Sequence, residues 1–307
     1  MAFAVTGQDV DAVVAAGTIN LLSHFSIEVT PRTAAKIGDF RSFLPQGTRV
    51  YVAHIEGTSI DDMVATARRL AEEGFCPMPH IPARSIPDLA VLEEWILRYR
   101  QEAGVEQALL LGGGQARPAG NIDNVMTMIG TGLFDRHGFK RLHVAGHPEG
   151  NRDIDRLGGT ANVDAALRSK QDYAQRTDAK MAIITQFAFD ANPVISWAER
   201  IAADGIDLPI HLGIAGPTKL QTLIKYAIAC GVGQSLSILQ KRALDFRKLL
   251  VPFEPTDLVD TIEAYRGTHP QSRIEQCHVF PLGGLAASAA WANARAKNAM
   301  SGSAVSP

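Results

Sequence analysis

The chain has 307 residues, enough for one large barrel or two modest domains. Apolar residues make up 46% and charged residues 20%, and the formal net charge is -2, which gives no bulk attraction to nucleic acid or to a membrane surface. No apolar run reaches bilayer-spanning length, the first residues carry no basic n-region, and the three widely spaced cysteines (Cys76, Cys230, Cys277) form no metal or redox motif, so a cytoplasmic protein with reduced thiols is expected.

Apolar runs alternate with amphipathic stretches along the chain. Strands are predicted near 24–30, 49–55, 76–82, 107–113, 141–146, 181–188, 208–215 and 276–282. Helices are predicted near 32–44, 59–73, 87–103, 122–136, 161–178, 193–204, 218–230 and 284–297. Between 59 and 73, Ile60, Met63, Val64, Ala67, Leu70 and Ala71 form one apolar stripe. Asn192-Pro193 reads as an N-cap followed by a first-turn proline, and Gly216-Pro217-Thr218 opens the next helix in a similar way. Extra helical material, such as Gln234 to Leu250, precedes the eighth strand. Eight strand–helix units imply parallel strands joined by crossovers, hence a single α/β domain, a (β/α)₈ TIM barrel over residues 1–298. The Ser/Ala-rich tail, residues 299–307, is expected to be disordered. A doubly wound open sheet is the rival, but no G-x-G-x-x-G follows the first strand.

In such a barrel the chemistry sits at the C-terminal ends of the strands. Strand one presents Ser26 and Glu28, two apart and so on one face. At a poorly hydrated mouth Glu28 would have a raised pKa and act as a general acid; the alternative is a surface pair with Arg32. Strand three ends in Pro79-His80-Ile81-Pro82, where the prolines stiffen the backbone around His80. A contact from His80 to a ring or phosphate is expected ahead of metal ligation, because no H-x-x-x-H or H-E-x-x-H spacing occurs; simple packing is the other reading. Strand four runs into Gly112-Gly113-Gly114-Gln115, where backbone can approach a flat ligand. Strand five ends in His147-Pro148-Glu149. Strand six carries Gln186, an amide suited to the edge of a heterocycle, with Phe187 and Phe189 as stacking or core residues. Strand eight supplies His278 and Phe280. An aldolase-like barrel would want a strand-borne lysine, and none lies inside these predicted strands.

Taken together, Phe25-Ser26-Ile27-Glu28-Val29-Thr30-Pro31-Arg32, Pro79-His80, Ile184-Thr185-Gln186-Phe187-Ala188-Phe189-Asp190, Gly213-Ile214-Ala215-Gly216-Pro217 and His278-Val279-Phe280-Pro281-Leu282 resemble the methylenetetrahydrofolate reductase family over residues about 24–290. The resemblance implies an oxidoreductase interconverting 5,10-methylenetetrahydrofolate and 5-methyltetrahydrofolate. Glu28 would be the acid that protonates N10. Ser26, Gln186, Phe187 and Phe280 would contact the folate. The family's hydride donor is FAD, reduced by NADH or NADPH, and the corresponding positions here are Tyr51, His54, His80, Gly113, Gly114, Gln115 and His147. Those flavin-side positions depart from the family pattern. Val50-Tyr51-Val52-Ala53 lacks the family glycine, Gly112-Gly113-Gly114-Gln115 lacks its Arg and Asp, and Gln171, Ala174 and Gln175 replace basic residues of helix five. Weak or no flavin binding, with direct reduction by a nicotinamide nucleotide, is one expectation, and retained FAD is the other. Arg152, Arg156 and Arg168 are the candidate replacement phosphate contacts. The alternative is a folate-binding barrel, or a methyl-carrier partner, that does not reduce.

Overall fold

The computed structural model describes residues 20–151, 153–229 and 252–302. Cys230, Arg152, the predicted helix from Gln234 to Leu250 and the end of the tail lie outside these residues. Eight parallel strands close into a barrel in sequence order: β1 Ser26–Val29, β2 Arg49–Val52, β3 Cys76–Pro82, β4 Gln107–Leu111, β5 Arg141–Gly146, β6 Lys180–Thr185, β7 Ile210–Ala215 and β8 Ile274–Phe280. The ring shuts where Ser26 of β1 pairs with His278 of β8.

Around it lie α1 Pro31–Ala34, α2 Ile60–Glu72, α3 Leu89–Ala103, α4 Val125–Ile129, α5 Leu133–Arg136, α6 Ala161–Ala174, α7 Ala191–Ala203, α8 Leu220–Ala229, α9 Thr256–Thr268 and α10 Leu285–Gly302. No helix among the described residues is long and apolar enough to cross a membrane. α2 shows why these helices form: Ser59 caps it by accepting from the Asp62 N–H, and Met63, Val64, Ala67 and Leu70 bury its apolar stripe. α3 starts at an Asp88 cap and stops at Gly104, whose φ of 62° only glycine adopts freely.

Several expected boundaries move. The helix expected over 32–44 is the single turn of α1 plus a 3₁₀ turn at Phe40–Ser42. The helix expected over 122–136 splits into α4 and α5, because Gly132 takes φ 69° between them. The cap of α7 is Asp190, which accepts from the Asn192 N–H, so Asn192 and Pro193 lie inside the first turn. Thr218 does not open α8; its backbone pairs with Phe253 in an isolated antiparallel bridge. α9 supplies described helical material before β8, and α10 runs on to Gly302, past the expected start of the disordered tail.

Strand residues alternate between two environments. Ile27, Val50, Ile81, Leu110, Val144, Ile183, Leu212 and Val279 face out and join the main core under the helices. The inward set includes a small apolar cluster of Tyr51, Met78, Leu109 and Ile184. It also holds buried polar residues: Ser26, His80, His143, His211 and His278. The interior is thus a hydrogen-bonding lattice as well as a packed core.

Candidate active site at the barrel mouth

Glu28 stands one residue from the end of β1, in the inward phase with Ser26. Its carboxylate lies between two imidazoles: Oε2 is 3.2 Å from His80 Nε2 and 3.8 Å from His278 Nε2. His278 is wholly buried, and its other nitrogen, Nδ1, hydrogen-bonds Ser26 Oγ at 2.9 Å. Beside it, the Tyr51 and His278 rings pack edge-to-face with centroids 4.4 Å apart, and the Tyr51 hydroxyl meets His143 Nδ1 at 2.5 Å. His143 in turn lies edge-on to His211, with centroids 4.9 Å apart. Among the described residues no group of three His, Cys, Asp or Glu side chains is disposed to hold a metal ion.

The electrostatics reverse the expectation for Glu28. Burial pushes its pKa up, but the His80 charge and the contacts from His278 and His80 outweigh burial, and the pKa is lowered to about 2. Glu28 is therefore a carboxylate in the resting protein, not a protonated acid, and it does not pair with Arg32. His278 is lowered by burial, against the opposing pull of Glu28. His143 is pushed well down, again mainly by burial.

The other expected site residues divide by depth. Ser26 is fully buried and acts on His278 rather than on an open surface. Tyr51, expected at a cofactor, is fully enclosed in the barrel interior. His54, expected there too, turns outward and stacks on Trp95 of α3 at 5.4 Å. His80 contacts Glu28 through Nε2. Gln186 follows β6 in the inward phase at the same barrel end as Glu28, and its Oε1 accepts from the Phe187 N–H at 3.1 Å. Phe187 is only 2% exposed and packs with Phe189 and Phe253, so it is a core residue. Phe280 is half-buried, 5.4 Å from Phe187, and borders the open cleft. Gly113 takes φ 91°, and a Cβ there would stand 3.1 Å from Pro82 Cβ, so the glycine holds the β3 and β4 ends close together. Gly114 is exposed, and the Gln115 carbonyl accepts from Arg84. His147 lies beside Lys170, and burial, with that neighbouring charge, lowers its pKa to about 4.

Among the described residues, Lys170, Arg168 and Arg84 offer little to the phosphates of a flavin dinucleotide. A pyrophosphate needs clustered donors with charge to spare. Lys170 is 8% exposed and donates to the Ala145 carbonyl at 3.1 Å, and burial brings its pKa down to about 8. Arg168 pairs with Asp204 at 3.6 Å, and Arg84 is bound to the carbonyls of Gln115 and Asp123. Of the three candidate arginines, Arg156 lies on the loop after β5, and Arg152 lies outside the described residues.

The sequence reading passed over His143 and His211. Their signal was present: each sits at an alternate position in an otherwise apolar strand, in phase with small inward residues such as Ala145 and Gly213. Cys76 is the first residue of β3 and so lies at the opposite barrel end. Lys180, the first residue of β6, also lies at that far end.

A cleft of about 1060 Å³ opens beside Glu28, bounded by the β1 end with α1, the loop after β2, α2, α8 and the residues following β8. No family model matches the chain. Among solved structures, an uncharacterized protein from Clostridium thermocellum, described as binding two copies of 5-methyl-5,6,7,8-tetrahydrofolic acid, superposes with a TM-score of 0.59 at 12% identity, covering 91% of this chain and 96% of that one. The enoyl-[acyl-carrier-protein] reductase (NADH) of Aquifex aeolicus VF5 aligns with a TM-score of 0.30 at 12% identity, over 78% of this chain and 97% of that one, too distant to bear on the fold. At 12% identity the first likeness establishes the barrel architecture and nothing finer.

Proposed function

We propose that the barrel mouth takes a reduced folate, and that the protein interconverts 5,10-methylenetetrahydrofolate and 5-methyltetrahydrofolate with a nicotinamide nucleotide as the direct hydride donor. The observation that carries this is Glu28 held between His80 and His278 at the strand ends, on the edge of an open cleft. A protein of the same fold binds 5-methyltetrahydrofolate, which supports the ligand class. The family resemblance of the strand-end motifs supports the reaction.

The chemistry follows from the placement. Breaking the N10–methylene bond leaves a 5-iminium cation and requires one proton at N10; hydride then completes the methyl group. An ionised Glu28 stabilises the cation electrostatically in a poorly hydrated site. The proton reaches N10 through the Glu28–His80 contact, with Glu28 passing on what His80 supplies across 3.2 Å. The Gln186 amide, with its Nε2 donors left over, addresses the pterin edge.

The test is NADH or NADPH consumption with methylenetetrahydrofolate in the purified protein without added flavin. Turnover is expected, with a loss of roughly 10²–10⁴-fold in Glu28→Gln. Stoichiometric flavin absorbance retained through gel filtration would overturn the direct-donor reading. A second reading, a folate-binding barrel that does not reduce, is favoured by the ionised state of Glu28, since a standing carboxylate suits an N–H donor of a bound pterin. Tight folate binding with no nucleotide consumption under any condition selects it.

A further inference from the structure

Polar side chains from four strands continue inward from Glu28, and all are wholly buried. Tyr51 of β2 and His143 of β5 meet through the phenol hydroxyl and Nδ1 at 2.5 Å. Ser26 of β1 and His278 of β8 meet through Oγ and Nδ1 at 2.9 Å. The Ser26 side chain also hydrogen-bonds Tyr51, which joins the two pairs. The result is one chain, His143–Tyr51–Ser26–His278, whose last ring turns Nε2 toward Glu28 at 3.8 Å. Counting hydrogens fixes its direction. Glu28 is ionised and can only accept, so an Nε2–H on His278 attracts it and a bare Nε2 repels it. Burial keeps His278 and His143 neutral, with one N–H each, and keeps the Tyr51 hydroxyl protonated. A hydrogen on His278 Nε2 leaves Nδ1 bare, to accept from Ser26. Ser26 has one hydrogen, so it must accept from Tyr51, and Tyr51 in turn accepts from the His143 Nδ1–H. His143 Nε2, which has no hydrogen-bond partner among the described residues, is then a bare acceptor. The reverse direction would leave an orphaned N–H there, the costlier fault. Arg49 and Arg141, at the far barrel end, also oppose a charge on His143.

We propose that Tyr51 and His143 are positioning residues which, through Ser26, hold the His278 hydrogen on Nε2 and so orient the N–H that faces Glu28. Tyr51 acts through Ser26, and His143 acts through Tyr51. The kinetic consequence rests on the folate reading above; the ring state of His278 does not. Without the phenol hydroxyl, the Ser26 oxygen accepts from His278 Nδ1 instead, and both tautomers of His278 become populated. In part of the molecules a bare Nε2 then faces Glu28, and the carboxylate loses an oriented dipole.

The experiment is a long-range proton–nitrogen correlation spectrum of the ligand-free protein labelled with ¹⁵N at histidine, which separates protonated from bare ring nitrogens. The His278 signals are identified by their loss in His278→Gln. In the wild type near pH ~7, His278 should carry its hydrogen on Nε2 alone and His143 on Nδ1. Tyr51→Phe, which keeps the ring and removes the hydroxyl, should turn His278 into a mixture of tautomers, and Ser26→Ala should do the same from the other side of the link. A wild-type His278 protonated on Nδ1, or a His278 unchanged in either folded variant, overturns the proposal. The kinetic arm follows nucleotide consumption with methylenetetrahydrofolate. Tyr51→Phe should lower kcat about 3- to 10-fold and leave KM within about 2-fold of wild type, and should cost nothing further in a Ser26→Ala background. A full additional loss in that background overturns the link through Ser26. Absence of turnover by the wild type removes the folate reduction and leaves the His278 spectrum to decide the positioning role by itself.

Discussion

Glu28 carries most of the chemical argument, and its protonation is set by residues on two other strands. With its folded pKa lowered to about 2 from an ordinary 4.5, Glu28 adds stability that is fully present above pH ~4.5 and is lost as pH falls through the folded value. A shift of that size corresponds to a few kcal/mol at most, since each unit is worth about 1.4 kcal/mol and partial exposure to solvent reduces it. Glu28→Gln should therefore lower the melting temperature at pH 7, and the gap from wild type should narrow as pH drops below ~4.5. A gap that stays constant from pH 7 to pH 4 would show that His80 and His278 do not hold the carboxylate ionised. The glutamate itself was conspicuous in the sequence as a charge in an apolar run. The direction of its shift was not, because burial and paired imidazoles act with opposite signs, and the imidazoles arrive from β3 and β8.

Among the elements, the β6–β7 contact positions Gln186. Gly213 of β7 donates its N–H to Thr185 Oγ1 at 2.8 Å. A Cβ at Gly213 would stand 2.3 Å from the Thr185 carbonyl oxygen and 2.9 Å from that of Gln186. Neither backbone oxygen can withdraw without opening the strand pair, so Gly213→Ala should cost ~1–3 kcal/mol in urea unfolding. It should also weaken folate binding more than an equally destabilising substitution in α9. Local chemistry made the elements readable: β3 and β5 fall where the apolar runs place them, and α2 follows its stripe. Glycine and capping details decided the rest. Gly132 divides α4 from α5, and Asp190 takes the cap expected of Asn192, since a cap depends on which carboxylate folds back onto a free N–H.

In the molecule as a whole, buried histidines make the barrel sensitive to acid. His54, His143, His147 and His278 all have pKa values lowered, chiefly by burial, with His147 down to about 4. A base whose folded pKa lies below its unfolded value costs nothing at high pH; the unfolded chain takes up its proton first as pH falls. Stability should therefore decline from pH ~6.5 toward ~4, before most carboxylates titrate, and a thermal-melting series over that range would show it. A flat profile between pH 7 and 5 would contradict this burial. The eight-fold alternation of apolar runs and amphipathic stretches already specified the parallel barrel, because strand and helix periodicity are local properties and the crossover rule leaves few topologies. The inward polar column of Tyr51, His143, His211 and His278, the ionised state of Glu28 and the open cleft next to it came only with closure of the ring. They depend on strand register, which brings β1 against β8 across most of the chain, and no local pattern encodes which side chains will meet there.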